Sequence, residues 1–392
     1  MSPRAQRGYL DFQMAARTPL FLVLTLASGA AVAQFTDPED GALDASEFII
    51  DKKGFLPVPV LITEPAVGYG AGLGLLFVRN SIRERKEAQQ GDPQSSHVAP
   101  PDVFGFVLGA TENGTKFGGG GGMFSFDDDR WRYRGGVAKA EVNLDFYGAG
   151  GRLGTAERKL GYTLDMLASS QQVLRRLGDT NSFAALRWVW FDSQASFDAS
   201  RPQPVLPPAS LAARSSGLGV ALEYDSRDNI FTPSRGWLAT VEPTFYSPAI
   251  GSDNKYEIYK ARALAWTPLS DRFVLGGRVD ARAARGDVPF YQLPYIELRG
   301  VPAFRYQDEN VALAEAELRW DASARWALVG FVGGARTWGA GGTKFSDSGT
   351  VVAKGAGFRY LIARRLGVYM GADIARGPEE TAFYIQVGSA WR

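Results

Sequence analysis

The chain has 392 residues, a formal net charge of +1 and no cysteine. Disulfides and thiolate chemistry are excluded, and the charge gives no global attraction to nucleic acid. Glycine is abundant, at 46 residues, and 12% of the chain is aromatic; both suit curved β-strands with aromatic girdles.

Residues 1–33 read as a secretory signal peptide. Arg4, Arg7 and Arg17 are basic, the apolar stretch Pro19–Ala33 follows, and Ala31-Val32-Ala33 is a small-residue cleavage site. The mature chain is expected to begin near Gln34. The other reading, an uncleaved anchor, needs a longer apolar run. Residues 34–54 are acidic and polar, and are expected to form a disordered periplasmic lead. No later segment has 18 consecutive apolar residues, so transmembrane helices are not expected.

Residues 55–392 read as one β-domain without a break in composition. Strands are expected near 55–63, 66–79, 103–111, 115–126, 131–146, 159–174, 181–196 and 213–226, then near 235–247, 255–267, 272–285, 310–321, 325–338, 350–361, 366–376 and 381–391. Sixteen is an even number, as a single-chain bacterial barrel requires. Pro57 and Pro59 weaken the first strand as a ladder member. The polar insertion at 80–102 and the Pro202–Pro208 stretch read as loops. Gly118–Gly122 lacks the Lys-Ser/Thr and helix of a phosphate loop. It reads as strand, either a flexible wall or a place where a loop packs closely.

The strand faces are chemically opposite. Arg278, Asp280 and Arg282 share one parity, and Val279, Ala281 and Ala283 the other. Glu315, Glu317 and Arg319 oppose Ala312, Ala314, Ala316, Leu318 and Trp320. Leu218, Val220, Leu222 and Tyr224 alternate with Gly219, Ala221, Glu223 and Asp225. On 131–146, Ala138, Ala140, Val142, Leu144 and Phe146 are expected on the lipid face, against Lys139, Glu141, Asn143 and Asp145. A soluble sandwich has a similar period, but its wet face is usually richer in Ser and Thr than in mid-strand charges. The fold class is therefore all-β, a transmembrane antiparallel β-barrel with its polar face in the lumen. With both termini in the periplasm, the turns at Asp127–Arg130, Pro268–Asp271, Asp321–Ala324 and Ile362–Arg364 fall on the periplasmic side and are short. The long loop 286–309 falls outside. The 80–102 insertion is the exception, long and periplasmic.

The chain reads DSRDNIFTPSRG at 225–236 and ELRGVPAFRY at 297–306, followed by ALAEAELRW, and it ends in FYIQVGSAWR. In this order the segments resemble the bacterial surface antigen barrel of the BamA/TamA superfamily, outer-membrane assembly factors and two-partner secretion pores. The resemblance covers 55–392. It implies a sixteen-strand barrel in the bacterial outer membrane, with loop 286–309 folded into the lumen. It also implies a periplasmic turn motif at Asp225, Arg227, Asp228, Pro233 and Gly236. The loop's Arg299-Gly300 tip is implied to lock onto Glu317 of strand twelve and an acid of strand thirteen. Gly333 stands at that second position, a departure from the family, and Val301 stands where an aromatic is usual. The stretch before Phe55 is too short for a POTRA module, so the chain reads as a barrel without one.

The expected role is assistance in inserting or translocating protein or lipid at the outer membrane, without catalysis and without a cofactor. Outer-membrane lipid, a protein or lipid client and a periplasmic partner are the implied partners, and nucleic acid is not. The alternative is a passive channel or a structural, self-associating barrel. A hydrolase is disfavoured because His97, the single histidine, lies in the polar insertion and not beside a nucleophile. No Cys and one His leave no metal cluster. The lumen charges Arg278, Asp280, Arg282, Glu315, Glu317 and Arg319 could line a conduction path, but their balanced signs favour a static network.

Overall fold

Period-two alternation carries the chain through sixteen consecutive strands. The computed structural model describes residues 35–51, 53–79, 102–146, 160–197, 211–339 and 349–391. Residues 1–33, expected to be a signal peptide, His97 and the Pro202–Pro208 loop lie outside the described residues. The strands are β1 (Gly54–Ile62), β2 (Gly70–Val78), β3 (Val103–Thr111), β4 (Lys116–Phe126), β5 (Trp131–Phe146), β6 (Leu160–Arg176), β7 (Ser182–Phe197) and β8 (Ala212–Asp225). They continue as β9 (Gly236–Tyr246), β10 (Tyr256–Ser270), β11 (Phe273–Gly286), β12 (Asn310–Asp321), β13 (Trp326–Trp338), β14 (Thr350–Ala363), β15 (Val368–Arg376) and β16 (Thr381–Val387). Each pairs antiparallel with its sequence neighbours in one 16-stranded sheet, curled into a nearly closed barrel.

The predicted parity holds along most of the wall. On β11, Val279 is 57% exposed and Asp280 is 1% exposed. On β12, Leu318 and Trp320 face outward while Glu315 and Arg319 are buried in the lumen. On β8, Leu218, Val220 and Leu222 face outward and Ala221 is buried.

Strand β5 departs from the expectation. Leu144, assigned to lipid by its sequence, is buried with Tyr162, Leu164, Phe290 and Tyr291, while Lys139 and Glu141 are exposed. The reason is length. β5, β6 and β7 have 16, 17 and 16 residues, and a tilted strand crosses the hydrocarbon in about 9–11. Their outer parts project beyond it, where the outward face meets water and the inner face is covered by the loop. The glycine run in β4 is a crowded wall. A Cβ at Gly120 would lie 2.6 Å from the Phe106 ring, and one at Gly121 would lie 2.5 Å from Gly135 O. The close packing is with adjacent strands and not with a plug.

Two terminal expectations are corrected. The stretch after Gln34 was expected to be disordered because it is acidic and polar. It folds into a bridge between Thr36 and Leu43 and a short helix, α1 (Ser46–Ile50). At the other end β16 stops at Val387, short of the expected 391. Gly388 takes φ +81°, and Trp391 turns inward against Leu264, Trp266 and Val274.

Candidate functional site

The sheet begins at β1 and ends at β16, and no ladder joins these two among the described residues. Register shows which backbone groups face the gap. Tyr69 O accepts from Glu112 N at 2.8 Å and Arg79 N donates to Asp102 O at 3.2 Å, so odd-numbered β2 positions bond β3. Even-numbered β2 positions bond β1, pairing Gly74 with Val58 and Leu76 with Leu56. The odd-numbered β1 residues therefore turn their backbone toward the gap, and two of them are Pro57 and Pro59. The free edge lacks two successive N–H donors, while the β1–β2 ladder keeps its register. On β16, the bonds Gly377 N to Glu380 O (3.1 Å) and Gly388 N to Tyr369 O (2.7 Å) commit even positions to β15. Thr381, Phe383, Ile385 and Val387 face the gap.

The β11–β12 loop fills the lumen beside this seam. Its Ile296, Leu298 and Val301 pack on Val311, Leu313, Ala335, Val351 and Ala353 of the wall. That apolar seat is what holds Arg299 deep inside. Arg299 Nε donates to Glu315 Oε1 at 2.7 Å, and Nη1 donates to Asp373 Oδ2 at 2.9 Å. Glu317 Oε2 is 2.7 Å from Nη1, yet it makes no aligned hydrogen bond and is left without one. We regard Glu317 as an electrostatic neighbour, while Glu315 and Asp373 are the bonded partners. The guanidinium also lies 3.5 Å from the Phe331 ring centroid.

Gly300 follows at φ +88°. A Cβ there would lie 2.9 Å from Gly377 N, so both the backbone angle and the neighbour require glycine. At Gly333 a Cβ would lie 2.6 Å from Leu298 Cδ1. The acid that the family resemblance leads one to seek on strand thirteen is supplied here by Asp373 of β15. Arg359 Nη2 donates to the same carboxylate at 3.0 Å, and Gln386 Nε2 donates at 2.7 Å.

The loop tip also ties the two sides of the gap together. Gly300 N donates to Tyr384 Oη of β16 at 2.9 Å, and Ala303 N donates to Glu64 Oε1, just past β1, at 2.9 Å. Burial pushes the Glu64 carboxyl above its ordinary value, and the N–H bonds from Ala303 and Ala66 offset only part of that. Trp391 Nε1 donates to Glu315 Oε2 at 2.7 Å, which links the C-terminus to the lock.

The lumen charges form one connected network. Arg262, Arg278, Arg282, Arg299 and Arg359 meet Asp280, Glu297, Glu315, Glu317 and Asp373. The signs cancel, as a static filling requires. Arg319 stands apart and bonds Asp321 (3.0 Å) and Ser234 Oγ (2.7 Å).

That second contact belongs to the 225–236 turn. Arg227 pairs with Asp225 at 2.7 Å. Asp228 Oδ1 accepts from Ser234 N and Arg235 N at 3.0 and 3.1 Å, and Asn229 Oδ1 accepts from Phe231 N at 2.7 Å, an Asx-turn. Pro233 is fully buried, and Gly236 takes φ +106° with no room for a Cβ. Asn229 Nδ2 donates to Leu366 O at 2.7 Å, and Phe231 O accepts from Ser389 N at 2.6 Å. The motif thus braces the β14–β15 turn and the C-terminal residues at one mouth of the barrel.

The N-terminal stretch grips the same mouth. Arg325, in the β12–β13 turn, donates to Asp37 (2.5 Å), Asp40 (2.6 Å) and Asp44 (2.6 Å). Arg364 pairs with Asp37 at 2.7 Å and Glu39 at 2.5 Å, and Arg365 pairs with Glu47. Hydrogen bonding from Arg325 holds the Asp40 carboxyl down at about 2. Burial raises Asp44, but hydrogen bonds from Ser46 and Arg325 outweigh it and the net shift is down. The stretch is thus fastened to the β12–β13 and β14–β15 turns just before β1 begins.

Sequence reasoning found Arg299, Gly300, Glu317, Glu315 and the turn motif. It missed Asp373, Tyr384, Glu64 and Arg325. Asp373 and Tyr384 carried a usable signal, since each is a polar residue on the lumen parity of its strand. Glu64 and Arg325 sit in turns, where periodicity says nothing.

A sixteen-strand barrel with a lumen loop pinned by a buried arginine defines a class of outer-membrane proteins. The family model of the Omp85 superfamily domain matches residues 125–360, and the chain belongs to that superfamily. It is an outer-membrane protein of the bacterial cell, as barrels of this superfamily are. Among solved structures it is similar to BamA from Haemophilus ducreyi lacking POTRA domains 1–3, with TM-score 0.56 and 12% identity over 86% of this chain and 70% of that one. It is similar to CdiB from Escherichia coli, with TM-score 0.58 and 13% identity over 85% of this chain and 62% of that one. For CdiB from Acinetobacter baumannii the TM-score is 0.53 at 12% identity, over 84% and 59%. The chain thus spans less than two thirds of the two CdiB proteins, and at these identities the likeness is one of fold. No curated protein matches the sequence.

Proposed function

We propose that this barrel assists the insertion or translocation of protein or lipid clients at the outer membrane, and that the β1–β16 gap is the working element. The observation that carries the reading is the proline-blunted edge of β1. An edge strand with unpaired groups is a template for another strand. Pro57 and Pro59 weaken the self-closure of the barrel and leave the β16 edge open to a client strand. The loop clasp at Tyr384 and Glu64 sets how far the gap opens. The resemblance to the BamA/TamA superfamily of assembly factors and secretion pores supports this reading, and a periplasmic partner would deliver the client.

The test is reconstitution of the chain in vesicles with a urea-unfolded small outer-membrane barrel as the client. The wild type should speed client folding. A variant with cysteines at Leu61 and Thr381, joined across the gap by a short bifunctional maleimide, should lose that effect and regain it when a cleavable linker is cut. An effect indifferent to the cross-link would remove the gap from the mechanism. No effect together with large stable conductance would favour the passive channel.

A further inference from the structure

We propose that the lumen contains a binding site for a phosphate-type oxyanion, centred on Lys260. A cavity of about 290 Å³ lies between the wall from β5 to β11 and the lumen loop, with Arg187, Lys260, Arg282, Gln292 and Tyr291 among its lining. The acids beside it are already committed. Arg187 Nη1 donates to Glu242 Oε2 at 2.9 Å, and Arg282 forks onto Glu297 at 2.7 and 2.6 Å. Lys260 stands opposite Glu242 on β9 and Arg282 on β11. Among the described residues its ammonium has neither a hydrogen bond nor an ion pair, and the Gln292 side-chain amide has no partner either.

The surplus charge does not depend on which rotamer Lys260 adopts. The central network is balanced with Arg282 and Glu297 inside it. What remains at the cavity is Arg187 and Lys260 against Glu242 alone. If Lys260 swings to Glu242, Arg187 is released and the same positive charge stays. Lys260 is exposed to the lumen, so an entering anion can reach its ammonium and supply the missing counter-charge. The donors are an ammonium with three N–H bonds and an amide with two, which match the oxygens of a tetrahedral anion. The cavity has room beyond the anion for the organic part of a phosphate monoester.

The full chain, purified in phosphate-free detergent, would be titrated with inorganic phosphate at constant ionic strength set by potassium chloride. Thermal unfolding would be followed by loss of the fast-migrating, unheated gel form. The wild type should show a saturable rise in midpoint. Lys260→Gln and Arg187→Gln each remove the surplus and should raise the half-saturating concentration by about tenfold or more. Glu242→Gln adds a second surplus charge and should lower it. A variant lacking the fast-migrating form is replaced by Lys260→Met. A linear, salt-like rise in the wild type, or the wild-type half-saturation in Lys260→Gln, would overturn the site. Because the cavity is inside the lumen, vesicles of phosphatidylcholine and of phosphatidic acid should give the same midpoint. A rise confined to phosphatidic acid and abolished by Lys260→Gln would make the ligand a lipid headgroup and overturn the free anion.

Discussion

Arg299 of the lumen loop and Asp373 of β15 meet at 2.9 Å, 74 residues apart in sequence. The loop's arginine is therefore ion-paired to the strand next to β16, beside the gap, and not to an acid of β13. Glu315 holds the other side of the same guanidinium.

Arg299→Ala takes the shared cation from Glu315, Glu317 and Asp373, although Asp373 keeps Arg359 and Gln386 and Glu315 keeps Trp391. Removing one partner of a buried ion pair costs about 3–5 kcal/mol, less where water reaches the site. The variant should expose the 287–309 loop to external protease and raise conductance in planar bilayers. Glu315→Ala should approach that effect, with little added in the double mutant. Glu317→Ala should be milder, because Glu317 lacks an aligned bond. Equal effects at Glu315 and Glu317 would show that alignment does not matter here.

Gly333→Asp would introduce the acid that the family resemblance associates with strand thirteen. It should weaken the lock, because the new Cβ meets Leu298 Cδ1 at 2.6 Å. Overpacking of this kind costs about 1–3 kcal/mol. Protease resistance of the loop should fall, and a tighter loop would contradict the steric account.

Tyr384→Phe leaves the Gly300 N–H without its acceptor, at a cost of about 1–3 kcal/mol if the group stays dry. Hydrogen exchange at the loop tip and along β16 should quicken together. Faster exchange at the tip alone would show that the clasp does not hold the gap.

Acid should release the N-terminal grip. Asp40 titrates at about 2 in the folded chain, below the ordinary carboxylate value of about 3.9. A depressed folded value contributes stability above the unfolded value, and that stability is lost as pH falls toward the folded one. The grip should therefore hold above about pH 4 and loosen between about pH 4 and 2. Limited acid proteolysis at 35–51 would follow it, and Arg325→Ala should show the same release at neutral pH.

Single cysteines test the faces. Those at Val279 and Ala281 should react with lipid-soluble thiol probes and those at Arg278 and Arg282 with aqueous ones. On β5 the rule reverses: Lys139→Cys and Glu141→Cys should react with aqueous probes from outside, and Leu144→Cys should be shielded. Uniform labelling of β11 would remove the membrane assignment of that strand.

Sequence by itself determined the sixteen strands, their order and most of their faces. These depend on local physics: side chains alternate every residue, and glycine, proline and Asx residues mark the turns. Arg299-Gly300 and the 225–236 turn were also legible, because each carries its chemistry within a few adjacent residues. Only the tertiary structure decided that Asp373 and Glu315 bind the arginine, that Tyr384 and Glu64 clasp the gap, and that acidic residues 37–47 are ordered by Arg325, Arg364 and Arg365. The pairs linking these positions are up to 288 residues apart, and no period in the chain encodes which strand stands opposite which loop. The inverted face of β5 had the same origin. Alternation marks two faces, but only the height of the strand above the membrane decides which one is wet.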